Sequence, residues 1–79
     1  MTERYKIKIL KWLNTHGINL DIQHEFDKPI SEIDTLDSLI VMALIIEIED
    51  ITRGKIPNDI LINSNQVSIN QLVKSALNE

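Results

Sequence analysis

The apolar positions of this chain fall into periodic stretches interrupted by one long aperiodic stretch. Over residues 3–16, Tyr5, Ile9, Trp12 and Leu13 recur at helical spacing, and Ile7 and Leu10 widen the stripe. Thr2 is placed to cap this helix and Gly17 to close it. Tyr5 and Trp12 read as core or core-edge residues rather than ligand contacts. Residues 18–36 keep no period: Ile18, Leu20, Ile22, Phe26, Ile30, Ile33 and Leu36 are scattered among acids, amides and the pair Lys28-Pro29. A structureless loop of that length is uncommon in a small domain. Its apolar residues can pin it across the other elements, so it reads as a long ordered crossover connection.

A second helix is predicted from Ser38 to about Ile51, with Asp37 as its N-cap. Its β-branched residues would also suit a strand. The length, the cap and the ending Glu47, Glu49, Asp50 favour a helix. Gly54 ends the element, and Pro57 suits the first turn of a short third helix near 57–62. After the polar linker Asn63-Ser64-Asn65-Gln66, the run Ser68-Ile69-Asn70-Gln71 forms a capping box. It opens a last helix with Ile69, Leu72, Val73, Ala76 and Leu77 on one apolar face. The expected fold is all-α: a small four-helix bundle with a long first loop and a short third helix, one domain over 1–79.

Composition narrows the chemistry. Seventy-nine residues that are 43% hydrophobic can build one small core and no second one. There is no cysteine, so neither a disulfide framework nor a thiolate metal site is available, and any working thiol must come from a cofactor. The start of the chain lacks the uninterrupted apolar core of a signal peptide. The run Leu39 to Ile46 is too short to span a bilayer. A soluble, cytoplasmic monomer is the expectation. A net charge of −4 argues against general nucleic-acid binding. Cations concentrate at Arg4, Lys6, Lys8 and Lys11, and acids gather between Asp21 and Asp50. That acidic middle suits partners presenting Arg and Lys, or is simply a solvated surface.

Ser38 is the candidate chemical residue. A hydroxyl at the positive end of a helix suits a covalently attached phosphate, although serine is also an ordinary helix starter. A hydrolase built from Ser38, His16 or His24 and an aspartate lacks the G-x-S-x-G turn and the material for a cleft. His16 suits the carbonyl end of the first helix, and His24 reads as a loop residue. Two histidines without further ligands make no metal site.

The order of elements, the motif Leu36-Asp37-Ser38-Leu39, the acidic cluster closing that helix, and Ile56-Pro57 nineteen positions after the serine resemble the acyl carrier protein family over nearly the whole chain. That resemblance implies 4′-phosphopantetheine on Ser38, flanked by Asp37 and Leu39. It would be transferred from coenzyme A by a separate magnesium-dependent phosphopantetheinyl transferase. The arm's thiol would carry an acyl group as a thioester. The carrier would have no catalytic residue of its own and would be served by a loading ligase and acyl-processing enzymes. The surroundings of Ser38 also resemble D-alanyl and other aminoacyl carriers. They lack the double glycine found before the serine of many peptidyl carriers.

Angular projection of the second helix directs Val41, Leu44, Ile45 and Ile48 inward, with Leu39, Ala43, Ile46 and Asp50 opposite and Met42 at the edge. In related carriers the outer face meets partner enzymes, which assigns Leu39, Ile40, Met42, Ala43, Ile46, Glu47 and Asp50 to partner binding. Ile40 and Ala43 stand where fatty-acid-synthesis carriers usually have acids, which points to a specialised biosynthetic pathway. The apolar face is either a partner patch or core covered by the 18–36 segment. The patch is favoured because that segment must also reach the other side of the bundle. A rival from another class is a helical adaptor that uses this face without any prosthetic group.

Overall fold

The computed structural model describes residues 3–78, an all-helical arrangement with no strand among them. Helix α1 runs Glu3–Thr15, α2 Ser38–Thr52, α3 Asn58–Ile62 and α4 Ile69–Ala76. The expected cap at Thr2 lies outside the described residues. Helix α2 occupies the centre, packing against both α1 and α4.

Each helix end has a local cause. At the end of α1, the Ile18 amide donates to the Leu13 carbonyl and the Gly17 amide to the Asn14 carbonyl, both at 3.0 Å. With Gly17 at φ +77°, this is a Schellman closure. Leu13 and Ile18, the pair such a closure brings together, are both in the core. At the start of α4 the capping box is complete: the Gln71 amide donates to Ser68 Oγ at 3.1 Å, and the Ser68 amide donates to Gln71 Oε1 at 2.8 Å. Ser68 is itself buried. Ser68→Ala is therefore expected to lower stability by about 1–2 kcal/mol, read as a lower midpoint in a urea melt with an unchanged slope.

Helix α2 ends at Thr52, one residue beyond the expected end and before Gly54. The left-handed residue is Arg53, at φ 59°, not Gly54. Gly54 is required for space: a Cβ there would lie 1.9 Å from the Ala76 carbonyl oxygen, so the loop after α2 lies directly against the backbone of α4. Pro57 is the N-cap of α3 rather than a residue of its first turn. Between α2 and α3, the Ile56 amide donates to Glu49 Oε2 at 2.8 Å, and Ile56 is buried.

The 18–36 segment is an ordered crossover, as its scattered apolar residues suggest. Ile18, Leu20, Phe26, Ile30, Ile33 and Leu36 are all buried, and 3-10 turns form at Glu25–Asp27 and Ile30–Glu32. A third 3-10 turn, Ser64–Gln66, falls within the stretch read as polar linker. The segment is tied to α4 by Asn70 Nδ2 donating to Asp27 Oδ1 at 2.5 Å. It is tied to the chain before α4 by the Ile30 amide donating to the Val67 carbonyl at 3.0 Å. In α1, Ile9 and Leu13 are buried, while Tyr5, Leu10 and Trp12 pack at the edge of the core. Ile7 departs from the expected stripe and is 47% exposed. Its angular position lies nearly opposite Ile9 and Leu13.

Candidate functional site

Asp37 and Ser38 take different parts at the start of α2. Asp37 is the N-cap, in extended backbone, and its Oδ1 accepts the Ile40 amide at 2.9 Å. Its carbonyl accepts the Val41 amide at 2.9 Å, the first bond of the helix. Ser38 is the first helical residue and is exposed. With the Ile40 amide taken by Asp37, the amides of Ser38 and Leu39 are the helix-start donors that face solvent or a ligand. An anion bonded to Ser38 Oγ would stand beside these donors at the positive end of the helix dipole, worth about 0.3–1 kcal/mol at an exposed position.

The helix beyond Ser38 divides into two faces. Val41, Leu44 and Ile48 are buried against the other helices, Ile45 is half-buried, and each fully buried side chain of this size contributes roughly 1.5–3 kcal/mol. On the other side Leu39 is 76%, Met42 63% and Ile46 67% exposed. The 18–36 segment leaves these three uncovered, because its own apolar residues are spent inside the core. Among the other residues assigned to partner binding, Asp50 is exposed, and Ala43 and Glu47 are half-buried. Ile40 is half-buried and packs against the core. The exposed ridge is thus Leu39, Met42 and Ile46, with Asp37 before it and Asp50 after it.

Both histidines have local roles. His16 Nδ1 lies 3.0 Å from the Trp12 carbonyl oxygen at the end of α1, and its ring is 4.3 Å from that of Trp12. His24 Nδ1 lies 2.6 Å from Asp21 Oδ2. The His24 contact, helped by the Gln23 amide, holds the Asp21 carboxyl below the usual aspartate range. Among the described residues no group of His, Asp and Glu is arranged to hold a metal ion, and no helix is long and apolar enough to cross a membrane.

Two further features of the structure are invisible to periodicity. Glu49, read only as part of an acidic ending, fixes the path toward α3 through the Ile56 amide. Ile62, at the end of α3, adds an exposed apolar residue at 81%. Its place in a predicted helix was a signal, but the chain pattern does not say which face of so short a helix is free.

Ile46→Glu tests the ridge. The exposed position predicts a stability change within about 0.5 kcal/mol, including repulsion of Asp50 one turn on. The control Leu44→Ala is expected to cost about 2–5 kcal/mol. If Ile46→Glu destabilises as much as Leu44→Ala, the ridge belongs to the core.

No protein-family model, curated protein or solved structure matches the chain.

Proposed function

We propose that this protein is a carrier of the acyl-carrier type, with Ser38 as the attachment point for 4′-phosphopantetheine. The observation that carries this reading is the exposed Ser38 hydroxyl at the first position of α2, capped by Asp37 rather than by itself, within a D-S-L motif. The residues fit the group: Oγ is exposed, and the Ser38 and Leu39 amides can face a phosphodiester oxygen.

In the loading step, Ser38 Oγ attacks the phosphorus of coenzyme A nearest the pantetheine. A serine–phosphorus bond forms as the bond to the adenosine bisphosphate breaks, and the hydroxyl proton passes to a base of the transferase. The attached arm supplies a thiol on which an acyl or aminoacyl group rides as a thioester. Asp37 keeps the helix start closed without occupying Oγ, so the hydroxyl remains free as nucleophile. Leu39, Met42 and Ile46 give loading and processing enzymes an apolar surface beside the attachment point, with acids at its ends. That composition fits a dedicated carrier serving few enzymes in a specialised pathway.

The exposed ridge also supports a second reading, a helical adaptor that binds partners through α2 with no prosthetic group. Incubation with coenzyme A and a broad-specificity phosphopantetheinyl transferase separates the two. The carrier gains one phosphopantetheine in its intact mass; the adaptor gains nothing under conditions that modify a control carrier.

A further inference from the structure

A second exposed face lies on α1, opposite the side that enters the core. At about 100° per residue, Arg4, Ile7, Lys8 and Lys11 share one side of the helix, and all four are exposed. Lys6 pairs with Glu3 at 3.5 Å, and the Arg4 guanidinium carbon lies 5.9 Å from the centre of the Tyr5 ring. Lys8 and Lys11 form no ion pair among the described residues. An exposed isoleucine therefore sits among free cations, in a chain whose net charge is −4.

The complementary surface is on the same molecule. The α2 ridge exposes Leu39, Met42 and Ile46, with Asp37 and Asp50 exposed at its two ends. Antiparallel pairing of this ridge with itself would set Asp37 of one copy against Asp50 of the other, an unfavourable meeting of like charges. The α1 face brings the opposite sign. Spacing also agrees: Ile7 and Lys11 are four residues apart, as are Ile46 and Asp50, each about 6 Å along its helix.

We propose that the α1 face of one copy docks on the α2 ridge of a second copy, with Ile7 against Ile46 and Lys11 against Asp50. This head-to-tail contact uses one helix face from each partner. It falls below the size of a stable interface, so the association is transient and rises with concentration. An anionic membrane is the poorer occupant, because α1 exposes a single isoleucine where an interfacial helix needs a broad apolar face. Nucleic acid is poorer still, with few cations set against an acidic whole. In this register α1 begins opposite Met42, so the docked copy covers the part of the ridge from Met42 to Asp50 and competes with a loading enzyme for that surface. That consequence rests on the carrier reading; the contact itself does not.

Sedimentation of the full chain between about 10 μM and about 1 mM tests the contact over the range where weak complexes form. The wild-type weight-average mass should rise with concentration. Lys11→Glu and Asp50→Lys should each weaken association at least about fivefold by placing like charges together. An equimolar mixture of the two variants should recover it, with circular dichroism unchanged throughout. A flat wild-type profile overturns the proposal. So does a variant that associates like wild type, or a mixture that fails to recover. Lys11-dependent binding to anionic vesicles without self-association assigns the α1 face to a lipid surface and overturns it as well. Loading of Ser38 is scored separately: a loadable chain that never associates removes only this contact, and an associating chain that cannot be loaded removes only the carrier reading.

Discussion

Ser38→Ala is expected to abolish every thiol this protein can acquire while leaving its fold intact. The chain has no cysteine, so after treatment with coenzyme A and transferase and removal of free coenzyme A, a thiol assay on the protein reports the attached arm alone. The side-chain hydrogen bond at the start of α2 comes from Asp37, which the substitution does not touch. Alanine is also a good helix former at the first helical position. Thermal stability should therefore change by less than about 0.5 kcal/mol, while the thiol signal falls to background. A retained thiol would place the attachment elsewhere. A large stability loss would mean that Ser38 serves the fold.

Gly54→Ala is expected to be the most damaging single methyl group in the chain. The added Cβ would meet the Ala76 carbonyl oxygen at 1.9 Å and its carbonyl carbon at 2.9 Å, and both atoms belong to the backbone of α4. A flexible side chain could turn aside; a helix backbone cannot. Relief requires the end of α2 to move away from α4, which disturbs the contact between Ile48, Leu72, Val73 and Ala76 in the shared core. Overpacking of this kind costs about 1–3 kcal/mol and sometimes more. In a chain this short, each kcal/mol lowers the thermal midpoint by about 4–8 °C, so a fall on the order of 10 °C or more is expected. Gly17→Ala is the comparison. Gly17 has open space around its Cβ position, so its cost comes from the left-handed backbone alone. If Gly54→Ala melted like wild type, the approach of the two backbones would be wrong.

The parts of the fold that depend on near neighbours could be read from the chain. Asp37 before an apolar run, Ser68 three residues before Gln71, and Gly17 after a helical stripe are each local devices, and each forms as expected. The division of α2 into a buried face and an exposed ridge was likewise legible, since Val41, Leu44 and Ile48 recur with the helical period. Apart from Ile7, whose angle could be read from the chain, what escaped depends on distant residues or on elements too short to repeat. A three-residue turn such as Glu25–Asp27 has no period to detect, even though it delivers Phe26 to the centre of the core. Gly54 reads as a helix terminator because it is a glycine after the apolar run, but the left-handed conformation is taken by Arg53 beside it. The need for glycine at 54 comes from Ala76, twenty-two positions away. Ile7 looked like part of the α1 stripe because apolar residues surround it in sequence. Its angle decides otherwise.

At the candidate site, the motif around Ser38 and the exposed ridge were legible, but the packing of half-buried Ile40 against the core was not. Ile40 lies at the margin between the two faces of α2, where small differences in neighbouring packing decide which way a side chain is drawn. The ridge that remains exposed is narrower than the set of residues expected to contact partners, and it is apolar in its middle and acidic at its ends.

What Ser38 carries in the cell decides whether this protein is a carrier. Fragment mass spectrometry of the protein isolated from its native host should find 4′-phosphopantetheine on the peptide containing Asp37-Ser38-Leu39, with the cargo attached through its thiol. An unmodified Ser38 peptide throughout, or the arm on any other residue, would contradict it.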